Sequence, residues 1–534
     1  MHVWGVHVVS CSRPRMGVFS NVSRVDVGVL IEDSSRIVGT MPGGRRSVAI
    51  VGVAQMVQRP GERAAQDALG PIELMVGAAR AAAADAGAPT LLARVGFVGV
   101  AGGWWRYRNP GHIVATQLGC GAAATALAAV SGTGPQDLVG LAAQRISRGE
   151  LDVALIVGGD ARWTAQQLKR AGSEPTWITD DPPVQVVAPE RVSALPAEML
   201  GEMGALGSAA AAYAIFDDRL RSASGRSVAA QRDHIAALWS GFSGVAASNP
   251  YAWDRTPYTA DSIRNPAPNN RMITFPYTKA MVANNNVDMG SAILVCGVDT
   301  ALSAGVTHDR MVFPQVVTSS HETWTVAARR ELHESPALAA AGLAAFHHAG
   351  VGPDDFDHID LYACFPSIVQ MSSGALGLGT GIGQDRPLTV TGGLGFAAAP
   401  VGNAVGHSIA AMVERVRSGG LGLVHGNGGS ATKHSFAVYA STPPDEFAFI
   451  DVQDRVVLGE RSVISAGRQG AAVIEAATVV YDRNGPSHVL AAVLDNAGAR
   501  GWAKCQDADV FADAESRGLD GTAITLDGSG NFLS

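Results

Sequence analysis

The chain of 534 residues has a formal net charge of −8 and no run of lysine and arginine, which argues against a nucleic-acid-binding protein because phosphate contacts need clustered cations. Apolar residues make up 47% and aromatic residues only 6%, a balance typical of an α/β protein with an aliphatic interior and about two to four domains. Five cysteines lie far apart without a CxxC pair, so we predict neither a disulfide framework nor a metal site, and a cytoplasmic location fits best.

The first predicted element is the buried strand "VAIVGVAQ" at 48–55. Residues 1–46 are interpreted as an N-terminal appendage, in which Met41 is a candidate natural start. No stretch reaches the roughly 20 consecutive apolar residues that a transmembrane helix requires. We therefore predict no membrane span.

Helical and strand patterns alternate after this strand. The Ala-rich stretch at 72–87 has apolar residues at helical spacing, and "RVGFVGVAG" at 94–102 is a short Val-rich strand. A second helix at 136–150 leads into the strand "LDVALIVGGDA" at 151–161. Continuous apolar runs are typical of parallel strands covered on both faces, so we predict helices that cross between parallel strands.

Two stretches of the chain repeat in the same order. The helix and strand that end in the double glycine 158–159 match those that end in 428–429, at an offset of 270 positions. The segment "AAAADAG" at 81–87 matches "AAFHHAG" at 344–350, at an offset of 263. We therefore predict a duplicated chain, with its halves at 47–310 and 311–445.

Two regions depart from the repeat. Residues 162–275 are rich in Pro, Trp, Asn and Ser and are predicted to form an inserted loop domain over a site, since long irregular excursions are usually functional. In the tail, 471–482 and 487–495 flank an "RNGP" turn and predict a hairpin. We interpret 446–534 as an additional small antiparallel β-barrel domain, similar to the oligonucleotide/oligosaccharide-binding fold.

Several motifs resemble the thiolase superfamily, and in particular its sterol-carrier-protein-type thiolase-like branch. They are "PYTKAMVANNNVDMGSAILV" at 276–295, "DHIDLYACFPS" at 357–367, "GGLGFAAAP" at 392–400 and "GNGGSATKHS" at 426–435. The resemblance covers about residues 48–440. It implies a duplicated five-layer α/β/α/β/α fold, with a coenzyme A thioester bound beneath the inserted domain and no separate cofactor.

Thiolase chemistry needs a cysteine nucleophile, a histidine that activates it, a second cysteine that moves the proton, and donors that hold the thioester oxygen. The resemblance places Gly132 at the nucleophile, or Ser131 if one residue of slip is allowed. It places Ala399 at the histidine and Gly426 at the second cysteine. We therefore expect the pocket to be retained and the thiolase mechanism to be lost.

Four other side chains are candidates for a role. Tyr362, in "YACF", replaces the residue that binds the catalytic water or the thioester oxygen, and it is either a proton donor or an aromatic plug at a strand end. His425 is either a group that titrates near neutrality or part of a tight strand exit. Cys364 is expected to be a buried, inert thiol. His407 is expected to lie too far along its helix to replace the missing base.

The resemblance implies that four chain segments meet in one cavity beneath 162–275. Glycines there would let the backbone approach a thioester closely. The expected substrate-binding residues are Ser131, Gly132, Thr133, Gly392, Gly393, Asn427 and Gly428.

Three functions remain open. The first is a thiolase-like protein of lipid metabolism, related to the acetyl-CoA acetyltransferases, that binds an acyl-CoA without thiolase activity. The second is an aldolase-type lyase that acts on a β-hydroxyacyl-CoA through Tyr362, with the tail as a fused partner module. The third is an acyltransferase that uses Ser131 with His425, which requires these residues to be close. A homodimer and a monomer are both compatible with the sequence.

Overall fold

The computed structural model describes residues 46–177, 196–465 and 467–533. The predicted N-terminal appendage lies outside the described residues, apart from Arg46. Within these ranges no single helix is long and apolar enough to cross a membrane. Two consecutive helices, Ala197–Leu206 and Ala209–Ala223, meet that criterion only together and are bent by 79° at their junction.

Strands and helices alternate along much of both predicted halves, except that α4 to α8 follow one another and are succeeded by β5 to β7. The strands are β1 (Val48–Val57), β2 (Phe97–Val100), β3 (Ala124–Leu127), β4 (Val153–Ala161), β5 (Met272–Thr274), β6 (Tyr277–Thr278), β7 (Asp288–Gly297), β8 (Phe313–His321), β9 (His358–Asp360), β10 (Leu421–Gly428), β11 (Lys433–Ala440), β12 (Ala448–Asp451), β13 (Gln469–Tyr481), β14 (Pro486–Asp495), β15 (Arg500–Cys505), β16 (Ala523–Asp527) and β17 (Phe532–Leu533). The α-helices are α1 (Pro71–Asp85), α2 (Pro110–Leu118), α3 (Gly134–Ser147), α4 (Arg162–Arg170), α5 (Ala197–Leu206), α6 (Ala209–Ala223), α7 (Val228–Ser248), α8 (Ala260–Arg264), α9 (Val298–Ser303), α10 (Pro336–Ala349), α11 (Pro366–Leu376), α12 (Gly393–Phe396), α13 (Ala404–Val416) and α14 (Ala508–Ser516).

Two five-stranded sheets form the centre of the molecule, and four strands of each, β1-β7-β4-β2 and β8-β11-β10-β9, have the same topology. The first has the order β1-β7-β4-β2-β3, and the second has the order β12-β8-β11-β10-β9. In the first sheet β4 is parallel to β2 and antiparallel to β7. In the second sheet β10 is parallel to β9 and antiparallel to β11, in the same arrangement. This correspondence explains the offset repeat in the sequence.

Helices cover both faces of these sheets, which gives five layers. Because successive side chains of a strand point to opposite faces, Ile50 packs in the core that contains α3, whereas Val51 packs in the core that contains α1. Helices α3 and α13 lie between the two sheets, and α10 lies against the outer face of β8 and β11. The predicted α/β/α/β/α fold is confirmed.

The insertion is more helical than its composition predicts. Its described part contains α4 to α8, and α7 alone has 21 residues. The hydroxyls of Ser208 and Ser227 accept hydrogen bonds from the backbone amides of Ala211 and Ala230, so each serine caps the start of a helix. One face of α7 is buried through the stacked rings of Trp239 and Phe242, whose centroids are 5.2 Å apart.

The tail strands form an antiparallel sheet with the order β15-β14-β13-β16-β17, and the predicted hairpin is β13 paired with β14. Two strands from before the second half join this sheet, because β5 pairs with β13 and β6 pairs with β5. At the start of the predicted tail domain, however, β12 pairs in parallel with β8 of the second central sheet. Within the tail, β13 is thus the first strand of the additional sheet, and the domain boundary at residue 446 stays a prediction. One parallel bridge between Lys504 and Asn531 brings β17 back to β15, and closure into a barrel stays a prediction.

Charged side chains connect the tail, the insertion and the second half. Arg500 is fully buried, forms an ion pair of 2.6 Å with Glu475, and donates hydrogen bonds to the carbonyl oxygens of Ala327 and Arg330. The carboxylate of Glu202 in α5 accepts hydrogen bonds from the Ala327 amide and from Trp502 Nε1. The three parts of the chain therefore support the same loop before α10.

Candidate functional site

Three of the four predicted segments meet at Gly132, in the turn between β3 and α3. A Cβ atom at this position would collide with the carbonyl oxygen of Asn427 and would lie only 2.6 Å from Cζ of Tyr362. Non-bonded carbon atoms attract each other best at about 3.5–4.0 Å, so no side chain fits here without displacing its neighbours. The ring of Tyr362 thus fills the space that a side chain at position 132 would need.

Ser131 is turned toward β10. Its hydroxyl lies 3.0 Å from the Thr133 hydroxyl and accepts a hydrogen bond of 3.3 Å from the Thr133 amide. A Cβ atom on Gly428 would collide with Ser131 Oγ, so these two residues are in direct contact. Ser131 is 5% exposed, and among the described residues its hydroxyl is hydrogen-bonded to Thr133 and not to an imidazole or a carboxylate.

Tyr362 lies two residues beyond the end of β9 and is 9% exposed. Its hydroxyl has no hydrogen-bond partner among the described residues, although the ring is packed. Burial, reinforced by the nearby Cys364 thiol, raises the pKa of Tyr362 well above its usual range. The phenol is therefore neutral at physiological pH and can donate a hydrogen bond.

His425 lies on the other face of β10. Side chains alternate along a strand, and Gly426 and Gly428 face the turn at 131–133, so the imidazole of His425 points toward the outer helix layer. Its Nδ1 is 3.3 Å from Ser372 Oγ, its Nε2 is 3.4 Å from Nδ1 of His434, and its ring stacks on Phe436. The structure does not bring His425 together with Ser131.

The environment of His425 also changes its expected titration. The residue is 1% exposed. Burial, together with the adjacent His434, lowers the pKa of His425 well below its usual value. The imidazole is therefore neutral near pH 7. Of the two interpretations of His425, the structure favours a buried part of the strand exit over a group that titrates near neutrality.

Asn427 is held by the insertion. Its side-chain amide donates a hydrogen bond of 2.8 Å to the hydroxyl of Tyr213 in α6. The same hydroxyl accepts from the Ala431 amide at 2.9 Å and donates to the Gly429 carbonyl at 3.0 Å. Tyr213 therefore fixes the whole turn after β10. Tyr213 is not among the predicted site residues. In the sequence it stands out only as a single tyrosine in the alanine-rich stretch "SAAAAYAIF".

The Gly-rich turn at 392–400 contacts the same strand end through Ala363. Gly392 and Gly393 have φ values of 101° and 74°, which glycine adopts without strain, and the Leu394 amide donates to the Ala363 carbonyl at 3.3 Å. Ala398 has a φ of 59°, a left-handed conformation that costs a residue with a side chain roughly 1–2 kcal/mol. The turn thus keeps a glycine-like shape where the sequence has alanine.

His407 and Cys364 are both buried. His407 Nδ1 lies 2.9 Å from Gln55 Oε1, and burial lowers its pKa to about 3, so the ring is neutral. Cys364 Sγ lies 3.9 Å from the Asn427 amide nitrogen, and burial raises the pKa of the thiol to about 12. Neither residue supplies a charged nucleophile or base at neutral pH.

Among the described residues the four segments are in direct contact, at Gly132 and at Ala363. A small cavity lies beside the Gly-rich turn, where it is lined by Ala398, Ala399, His407 and Gln55 and not by Ser131 or Tyr362. This cavity has room for about one water molecule. The insertion contributes Asn249 and Tyr251 to its wall.

No protein-family model and no curated protein matches the chain. Among solved structures, a monomeric SCP2-thiolase-like protein type 1 from Mycobacterium smegmatis is 29% identical with a TM-score of 0.76, over 92% of this chain and 100% of that chain. The Ltp2-ChsH2(DUF35) aldolase is 18% identical with a TM-score of 0.57, over 75% and 99% of the two chains. The Acat5 thiolase from Ascaris suum in complex with coenzyme A is 12% identical with a TM-score of 0.51, over 74% and 100%. The last two similarities concern the fold alone.

The packing at Gly132 predicts a position-specific loss of stability. We expect Gly132→Ala to lower the free energy of unfolding by about 1–3 kcal/mol, because the added methyl group overpacks against the backbone of β10 and the ring of Tyr362. Gly134→Ala is the matched control in the same turn. A Cβ atom on Gly134 would have the Cβ atom of Ala128 as its nearest neighbour, at 3.3 Å, whereas a Cβ atom on Gly132 would collide with the Asn427 carbonyl oxygen. Chemical denaturation measures both variants. Equal unfolding curves for the two would contradict the packing described.

Proposed function

The chain belongs to the thiolase superfamily, and from this premise we propose that it binds a coenzyme A thioester without forming the covalent acyl-enzyme of a thiolase. The observation that carries the proposal is the packing of Tyr362 against Gly132. Covalent acyl transfer needs a nucleophile that can reach the thioester carbon. At Gly132, one of the two positions that the resemblance offers for the nucleophile, the chain has neither a side chain nor room for one.

Activation of a substitute nucleophile also lacks support. Ser131 would need a neighbouring base, but its hydroxyl is engaged with Thr133, and His425 lies on the opposite face of β10. Ala399, at the position of the activating histidine, carries only a methyl group. This geometry disfavours the acyltransferase that would use Ser131 with His425.

The features that favour binding are the retained turns and the available donor. Strained backbone conformations persist where the surrounding structure enforces them, and they cluster at ligand sites. Ala398 is held in such a conformation beside the two left-handed glycines 392 and 393. The Tyr362 hydroxyl, with no described partner, is suited to donate a hydrogen bond to a thioester oxygen.

We place this role in the cytoplasmic handling of acyl-CoA in lipid metabolism. We also propose that the chain acts as a monomer, which is how the solved protein from Mycobacterium smegmatis is described.

Calorimetry combined with an activity assay tests this function. We expect saturable binding of acetoacetyl-CoA to the full chain, and no detectable thiolysis when coenzyme A is added. Loss of a nucleophile and its base should lower the rate of turnover by several powers of ten. The proposal fails if no acyl-CoA binds, or if thiolysis persists in protein purified to constant specific activity.

A second candidate, a retro-aldol lyase on a β-hydroxyacyl-CoA, is favoured by the free hydroxyl of Tyr362. When the Cα–Cβ bond breaks, its electron pair moves into the thioester as an enolate, and the β-hydroxyl proton passes to solvent. Tyr362 is neutral, so it carries a proton that it can donate to the enolate carbon, and the phenolate then regains a proton from solvent.

The lyase predicts a selective loss in Tyr362→Phe. We expect that variant to bind a β-hydroxyacyl-CoA within about threefold of the wild type but to lose cleavage by about 10²–10⁴-fold, since only the proton donor is removed. Tyr439→Phe, in β11, removes another buried hydroxyl without a described partner and serves as the control. Release of the aldehyde or ketone product measures the reaction. Cleavage by Tyr362→Phe at the rate of the control variant would exclude this role.

A further inference from the structure

The small cavity beside the Gly-rich turn has polar side chains that the proposed function does not use. Gln55 in β1 and His407 in α13 both line this cavity, and they are 7% and 3% exposed. Within the described ranges, Gln55 Nε2 and His407 Nε2 have no hydrogen-bond partner. A buried polar atom without a partner destabilises the folded chain, so this pair of nitrogen atoms points to a bound group.

The contact between these two side chains determines what the bound group must offer. His407 Nδ1 lies 2.9 Å from Gln55 Oε1, so Nδ1 carries the proton of the neutral ring and Nε2 remains an acceptor. The Gln55 amide nitrogen remains a donor. If the amide is turned by about 180°, Gln55 Oε1 becomes the free acceptor and His407 Nε2 becomes a free donor. Both orientations therefore present at least one free acceptor and one free donor.

The remaining walls limit the size and polarity of the bound group. Met289, Leu394 and Ala399 supply apolar atoms, and the last two belong to the Gly-rich turn of the candidate site. Ser408 also lines the cavity, but its hydroxyl donates to the Ala404 carbonyl at 3.4 Å. Because there is room for about one water molecule, the space suits one oxygen atom better than a larger polar group.

We propose that this cavity is a hydroxyl-binding site, in which His407 and Gln55 hold one oxygen atom beside the Gly-rich turn. A hydroxyl is a small uncharged group that both accepts and donates a hydrogen bond, as the pair requires. A carboxylate only accepts and an ammonium group only donates, so neither satisfies both side chains. The hydroxyl comes from a water molecule or from a bound organic ligand. Only the second source rests on the proposed function.

Crystal structures of the full chain, alone and with 3-hydroxybutyryl-CoA, test the site. We expect an oxygen atom about 2.7–3.2 Å from His407 Nε2 and from the Gln55 amide. Calorimetry with 3-hydroxybutyryl-CoA and butyryl-CoA then separates the two sources. A ligand hydroxyl in the site should give about a tenfold preference for the hydroxylated thioester, and Gln55→Met should abolish that preference. Gln117→Met changes an exposed glutamine in α2 and should leave it unchanged.

The outcomes separate this inference from the proposed function. An oxygen atom that is present in the free protein and stays in the complex, with equal affinities for the two thioesters, assigns the site to water only. Replacement of that atom by the ligand's hydroxyl assigns the site to the ligand. If both structures lack an oxygen atom within about 3.5 Å of either side chain, the hydroxyl site is wrong.

Two further results are also decisive. If neither thioester binds, the proposed function fails, and the structure of the free protein alone decides whether the hydroxyl site stands. If Gln55→Met does not fold, as circular dichroism would show, the two wild-type structures decide the source of the hydroxyl.

Discussion

The contact between the Tyr362 ring and the backbone of Gly132 and Asn427 determines what the candidate site can do. These groups occupy one small volume at the start of α3, so a side chain at position 132 and the ring of Tyr362 exclude each other. Ser131, the next available hydroxyl, is turned toward Thr133 and Gly428. What remains is a surface of backbone turns with one phenol, which is suited to noncovalent binding or to proton donation.

Elements far away in the chain hold this contact in place. Tyr213, in α6, fixes the turn after β10 through three hydrogen bonds. Tyr277, in β6, donates to Asp217 at 2.7 Å, and burial raises the pKa of Asp217 to about 6. Arg500 supports the loop before α10 from the tail. The insertion and the tail therefore act as parts of the site's framework rather than as separable additions.

The sequence predicts the two halves well because buried parallel strands are continuous apolar runs, as in β4, and because the duplication repeats them at a fixed offset. It predicts the insertion less well, since its helices are Ala-rich and capped by single serines that composition does not reveal. Segments of the site could be predicted from motifs. Their packing could not, because Gly132, Tyr362 and Asn427 are far apart in the chain and only the folded topology brings together a missing Cβ and an aromatic ring.

Intact-protein mass spectrometry tests the central claim most directly. The full chain is incubated with acetoacetyl-CoA at a concentration that saturates binding in calorimetry, and the mixture is quenched in acid. Because Gly132 has no nucleophile and Tyr362 fills its side-chain space, we predict that the protein keeps its unmodified mass. A covalent acyl adduct that accumulates with time and maps to Ser131 or Cys364 would contradict the account.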